Sequence, residues 1–189
     1  MISVPAKPLR LRALNYAALI ALWFFAAPSL LHAGSTFTSR TTVLSNQEYA
    51  DALLHGIREA RASIICSFYL FKIGDGMNNL PRRIAEELIR ARKRGVTVTV
   101  ILEKTGKDND TLDADNRRTA SLLAQDGVTV HFDSPRVTTH NKVVVIDNRH
   151  IYLGSHNITQ AALKYNNELS VRIESPELAS EILSYLERE

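Results

Sequence analysis

His140-Asn141-Lys142-Val143-Val144-Val145-Ile146-Asp147 is the stretch on which the reading of this chain turns. Val143 to Ile146 form a short β-branched run, so Asn141 to Asp147 is predicted as a buried strand. Asp147-Asn148 then turns the chain into a second strand, Ile151 to Leu153. His140 and Lys142 are two residues apart, so both side chains leave on the same face. An imidazole beside an ammonium suits a phosphate. Gly154-Ser155-His156-Asn157 follows closely and adds small polar groups.

Outward from this hairpin, strands alternate with helices. Ser45 and Glu48 have the spacing of a capping box, and Ala50, Leu53, Leu54 and Ile57 give the helix behind them an apolar face. A core strand is expected over Ile64 to Phe71. Leu80 to Arg94 reads as a helix with Pro81 in its first turn and Gly95 as its stop, and Val96 to Leu102 as the next strand. Asp110 to Asp126 is predicted as a helix resting on Leu112, Leu122 and Leu123 and ending at Gly127. A strand over Val128 to Phe132, the hairpin, a strand over Glu168 to Ile173 and a helix over Pro176 to Leu186 complete the order. Alternation of this kind implies an α/β sandwich, here with an antiparallel component from the hairpin. The polar loops Lys72 to Asn79 and Glu103 to Asp110 are candidates to border a substrate groove, or are ordinary surface turns.

A single histidine or lysine at a strand start is more often solvated than catalytic, so the fixed offsets carry the weight. The stretch resembles the HxKxxxxD signature of the phospholipase D superfamily, with Gly154, Ser155 and Asn157 matching its GSxN extension. From about Asn46 onward the order of elements resembles the small single-motif members, the Nuc-type endonucleases and the mitochondrial cardiolipin hydrolase/Zucchini group. The resemblance implies an α/β/α sandwich with a mixed central sheet and one motif per chain. It also implies a catalytic set of His140, Lys142, Asp147, Ser155, Asn157 and Glu168. In that set His140 attacks phosphorus to form a phosphohistidine, while Lys142 and Asn157 hold the non-bridging oxygens. Ser155 supports the pocket, and Glu168 bonds the far nitrogen of His140. Asp147, five residues after Lys142, falls on the opposite face of a regular strand and reads as a structural or orienting carboxylate.

Length and composition allow one globular domain and a leader. Lys7, Arg10 and Arg12 precede an apolar run from Ala13 to Leu31, and Leu31-His32-Ala33 resembles a processing site. The expected organisation is therefore 1–33 as signal peptide and 34–189 as catalytic domain, exported to a periplasmic or secreted location. An uncleaved anchor formed by residues 13–31 is the competing reading. The leader holds three basic residues and no acidic ones, which leaves 20 of each in the remainder. The pI near 9.1 is thus no argument for nucleic acid, and polyanion affinity must come from local patches. Candidates are Arg82-Arg83, Arg90 to Arg94, Lys104/Lys107 and Arg117-Arg118. The one cysteine, Cys66, sits in a core-strand pattern and reads as a packed thiol.

Phosphodiester hydrolysis needs a nucleophile, an acid for the leaving oxygen and positive groups around the developing charge. No cofactor is expected: the six histidines form no HxH or HxxxH pair, and Lys142 is a poor neighbour for a dication. A serine-hydrolase reading of Ser155 fails, since no Gly-x-Ser-x-Gly surrounds it. His156, at the variable position of GSxN, receives no catalytic role. The function expected is metal-independent cleavage of DNA or RNA, with phospholipid hydrolysis at a membrane as alternative and an inactive phosphate-binding protein as a lesser one. Superfamily chemistry uses two motifs and this chain carries one, so a homodimer with a shared site is expected.

Overall fold

The structure, a computed structural model, describes residues 34–76, 78–107 and 110–188, so the expected leader over 1–33 lies outside the described residues. Its elements run β1 (Arg40–Ser45), α1 (Glu48–Glu59), β2 (Ser63–Phe68), α2 (Leu80–Lys93), β3 (Thr97–Leu102), α3 (Thr111–Gln125) and β4 (Thr129–Phe132). They continue with β5 (Lys142–Ile146), β6 (His150–Gly154), α4 (Gln160–Lys164), β7 (Leu169–Glu174) and α5 (Pro176–Leu186). One seven-stranded sheet has the order β1-β7-β6-β5-β2-β3-β4. The β2-β3-β4 half is parallel, and every other pairing is antiparallel. This is the expected mixed α/β architecture.

Strand β5 lies between the two halves and is buried at every position. Its alternate side chains explain why. Val144 and Ile146 join the larger core, with Leu53, Leu54 and Ile57 of α1 and Ile84 and Leu88 of α2. Val143 and Val145 join a smaller core on the other face, with Ile151 and with Ala179 and Leu186 of α5. A β-branched run buried on both sides satisfies both layers at once. The register pairs Lys142 with Phe68, placing the start of β5 at the carboxyl end of β2. The loops after β2 and β3 reach that same pole, as do the end of β6 and the start of β7.

Several boundaries depart from expectation for local reasons. Ser45 closes β1 instead of capping α1: Asn46 takes a left-handed conformation (φ 50°) and Gln47 becomes the N-cap. Glu48 still reaches back to the Ser45 amide (2.9 Å) and hydroxyl (2.8 Å), half of a capping box. Helix α3 buries Asp113, Asn116 and Thr119 along with Leu123, while Leu112 and Leu122 are only half-buried. Its inward face is polar because it ties down backbone: Asn116 donates to the Tyr69 and Glu103 carbonyls and accepts from the Phe71 amide. Strand β1 and the single turn α4 were not expected. The first is an edge strand with only Leu44 buried, and the second is too short for periodicity.

Gly154 ends β6 opposite Ser170, where a Cβ would overlap the Ser170 side chain and Cα. Gly154→Ala therefore forces β6 from β7 and should destabilise the fold by roughly 1–3 kcal/mol. The midpoint of urea unfolding checks this, and an unchanged midpoint would show that the two strands separate without cost.

Candidate active site

Lys142 begins β5, yet its side chain is only 7% exposed. Nζ donates to the His140 carbonyl at 3.0 Å and lies 3.3 and 3.4 Å from Nδ1 and Nε2 of the His140 ring. The amine lies against both ring nitrogens alike, so its place does not depend on which of them carries the proton. Tyr69, one residue past β2, forms the floor. Its ring centroid is 4.6 Å from that of His140 and 5.3 Å from Nζ. Burial holds the Lys142 amine below its ordinary range, and the negative charge of Glu168 partly offsets this. His140 itself is exposed. The geometry is an accessible imidazole set against a desolvated amine.

Ser155 and Glu168 meet at the same pole, between the end of β6 and the start of β7. The Ser155 hydroxyl donates to Glu168 and accepts from the Leu169 amide at 3.1 Å. Asn166 donates to the other Glu168 oxygen at 3.1 Å. The expected pairing of Glu168 with the far nitrogen of His140 is thus replaced: the hydrogen bonds of this carboxylate run to Ser155 and Asn166, and it reaches the pair through the field it exerts on Lys142. Asn157 is half-buried, and its Oδ1 is buried without a hydrogen-bond partner among the described residues. A buried polar atom left unpaired costs about 1–3 kcal/mol, and rotating the amide by half a turn would aim an NH2 at the same place.

Asp147 belongs elsewhere. Five residues of strand separate it from Lys142 by roughly 16 Å. Its carboxylate accepts from the amides of Arg61 (3.0 Å), Ala62 (2.8 Å) and Ser63 (3.0 Å), tying the far end of β5 to the start of β2. Burial opposes its ionisation, but the three amides outweigh burial and hold its pKa below the usual value. Asp147 and Asn148 both have positive φ (53° and 48°), as a tight two-residue hairpin turn requires. The motif's aspartate is a structural clamp.

Three participants had little signal in the sequence. Tyr69 lies in an ordinary apolar stretch. Asn46 donates its amide to the Glu168 carbonyl and accepts the Glu168 amide on Oδ1, both at 2.9 Å. His156 is 1% exposed and stacks on Tyr49 at 4.3 Å. Its Nε2 donates to the Asn46 carbonyl at 2.9 Å, so Nδ1 accepts from the Ser170 hydroxyl at 2.7 Å. Burial keeps its pKa low. His156 therefore supports Glu168 through Asn46, a framing role at the position of GSxN that carries no chemistry of its own.

Most of the expected basic clusters are paired: Arg90 with Glu87, Lys93 with Asp126, Arg117 with Asp113 and Arg118 with Asp75. Lys104 and Lys107 remain exposed, on the loop after β3. Among the described residues no group of three or more His, Cys, Asp or Glu side chains is arranged to hold a metal ion.

Residues 53–189 match the family described as "Cardiolipin synthase, PLD-like domain". The chain belongs to this phospholipase D-like family. With it, the chain takes its place in the phospholipase D superfamily. A phospholipase D of Rickettsia typhi is 33% identical over 102 residues, 53% of this chain and 46% of that protein. The chain spans about half the length of the curated relatives it matches. Among solved structures, the phospholipase D family member Nuc from Salmonella typhimurium is 27% identical with a TM-score of 0.66, covering 80% of this chain and 93% of that one. NucT from Helicobacter pylori shares the fold at 19% identity and a TM-score of 0.62, over 80% and 95% of the two chains.

The different positions of the two charged motif residues separate their mutational effects. Asp147→Asn should lower stability by about 1.5–3 kcal/mol while leaving the activity of the folded fraction intact, because it weakens charge-assisted bonds remote from His140. Its penalty should be full at neutral pH and disappear as pH falls through the depressed Asp147 pKa, where the wild-type carboxylate also takes up a proton. Lys142→Ala should abolish turnover with the fold retained. Thermal unfolding and activity measured on the same samples check both.

Proposed function

We propose that this protein is a metal-independent phosphodiesterase that cleaves nucleic acid through a phosphohistidine on His140. The observation that carries the reading is the buried Lys142 amine within 3.3 Å of an exposed His140 ring. An imidazole nitrogen attacks phosphorus and displaces the leaving oxygen, which takes a proton from an acid. Lys142 and Asn157 hold the non-bridging oxygens as negative charge grows. Water then attacks the phosphohistidine and restores the free imidazole. Lysine supplies in this scheme the positive charge that a metal supplies in others.

Nucleic acid is favoured over lipid by the match to Nuc, which takes in 80% of this chain and 93% of that one, and by the exposed Lys104 and Lys107 beside the pole. Phospholipid is the second reading. It is supported by the phospholipase D name of the Rickettsia relatives and by exposed Val137 (74%), Leu169 (61%) and Leu153 (41%) around the same pole. We also propose a homodimer, in which His140 of a second copy protonates the leaving group. The row Val143, Leu153, Val171, Val43 runs across β5, β6, β7 and β1, and its Leu153 and Val43 are exposed, as such a contact needs. The leader would deliver this assembly outside the cytoplasm.

The purified protein, assayed in EDTA on plasmid DNA, RNA, cardiolipin and phosphatidylcholine, should cut nucleic acid fastest. Faster turnover of either lipid transfers the assignment to the second reading, and dependence on one added metal rejects the mechanism. Mixing wild-type and His140→Asn chains after subunit exchange tests the dimer. Activity should fall as the square of the wild-type fraction, whereas a first-power fall means that one His140 suffices.

A further inference from the structure

His140 stands two residues ahead of Lys142, where the hydrogen-bonded ladder of β5 begins, and its ring is exposed. The sheet alone does not hold it. Two bonds bracket it instead. On the carboxyl side, the Tyr69 amide donates to the Asn141 carbonyl at 2.9 Å. On the amino side, the Thr139 amide donates to Oε2 of Glu103 at 2.6 Å.

Glu103 is the first residue beyond β3 and is 1% exposed. Its backbone is fixed at both ends: the amide donates to the Phe68 carbonyl (3.1 Å), and the carbonyl accepts from Asn116 (3.0 Å). Thr139 is secured a second time, by its hydroxyl donating to Asp133, whose own amide closes on the Leu102 carbonyl at 2.9 Å. A neutral amide side chain would satisfy one N–H at a lower desolvation cost than a carboxylate, so the buried charge calls for a reason. A charge-assisted bond is shorter and roughly twice as strong as a neutral one, which makes it a stiffer clamp.

We propose that Glu103 is a positioning residue for the nucleophile: its carboxylate clamps the Thr139 amide and so sets where the His140 ring stands against Lys142 and Tyr69. This deepens the reading above and rests on His140 being the attacking group. The clamp is also exposed to titration. Burial pushes the Glu103 carboxyl up, the Thr139 bond opposes this, and Asp133 at the end of β4 and Asp113 of α3 push it further up. Arg117 lies beyond Asp113, 3.6 Å from its carboxylate. The clamp is in force above the raised Glu103 pKa and slackens as pH falls through it.

The isosteric Glu103→Gln keeps an acceptor for the Thr139 amide but removes the charge, so it should fold; Glu103→Ala removes both. The full chain as purified is followed by NMR at the Thr139 amide and His140 ring across pH. In parallel, kcat and KM are measured on bis(p-nitrophenyl) phosphate. In the wild type the Thr139 amide should shift downfield along a titration that kcat follows. Glu103→Gln should abolish that step in both readouts and lower kcat on the high-pH side of it about 10-fold, with KM within about 2-fold, as a weaker bond permits. Glu103→Ala, if folded, should lose about 100-fold in kcat, the scale of an ångström of misplacement. A wild-type kcat–pH profile in Glu103→Gln overturns the proposal, as does a loss confined to KM. If the wild type cleaves no phosphodiester, the functional reading fails separately, and the His140 ring decides the clamp. A shifted or broadened ring signal in Glu103→Gln supports it, and an unchanged one overturns it.

Discussion

A lysine amine has been taken out of water at the carboxyl end of β2, where the candidate site lies, and much of that site follows from keeping it there. An exposed strand start would let Lys142 extend its flexible stem and solvate its head. Here Tyr69 lies beside Nζ, the His140 carbonyl accepts from it, and the field of Glu168 favours its charged form. These partners only partly compensate desolvation, which costs several kcal/mol for an ion in a protein interior. The remaining deficit is what a phosphate oxygen can fill. On the proposed function, the pair of His140 and Lys142 is therefore organised before a phosphodiester arrives, as electrostatic catalysis requires.

The other half of the pocket is framed by connectors that converge on Glu168. Asn46 holds its backbone from the β1–α1 turn, Ser155 and Asn166 hold its carboxylate, and His156 holds Asn46 from below. Gln47 adds a bond to the Lys164 carbonyl at 3.2 Å, joining the same turn to the end of α4. Loop residues gain precision when their own partners are buried, and His156 supplies that burial. Asp147 performs the corresponding work at the opposite end of β5, where three amides converge on one carboxylate.

What could be read from the sequence was whatever periodicity and spacing encode. The β-branched run of β5, the Pro81 start and Gly95 stop of α2, and the two-residue separation of His140 and Lys142 all state their geometry locally. The inference that Asp147 points away from Lys142 needed only the alternation of a strand. What stayed hidden depended on contacts distant in the chain. The Asn46 side chain serves Glu168, 122 residues away, and no local pattern announces that pairing. The polar inward face of α3 reads as solvent-facing until Asn116 is seen holding two loops. Edge strand β1 buries only Leu44, so its Thr-Thr-Val run lacked the alternation that marks a half-buried strand.

The turn at Asp147 and Asn148 has a consequence for how the gene can change length. It joins two strands whose register places Lys142 beside Phe68 and Gly154 beside Ser170. Adding or removing one residue in that turn would slip β6 against β5 and exchange its faces, sending Ile151 to the helical layer that now receives Tyr152. The interval from His140 to Asn157 is thus intolerant of insertions and deletions. The loops after β2 and β3 lead into α2 and α3, so the pairing of the parallel strands does not hang on loop length. Descendants of this chain can lengthen those loops around the pole while the span between the two halves of the site keeps its residue count.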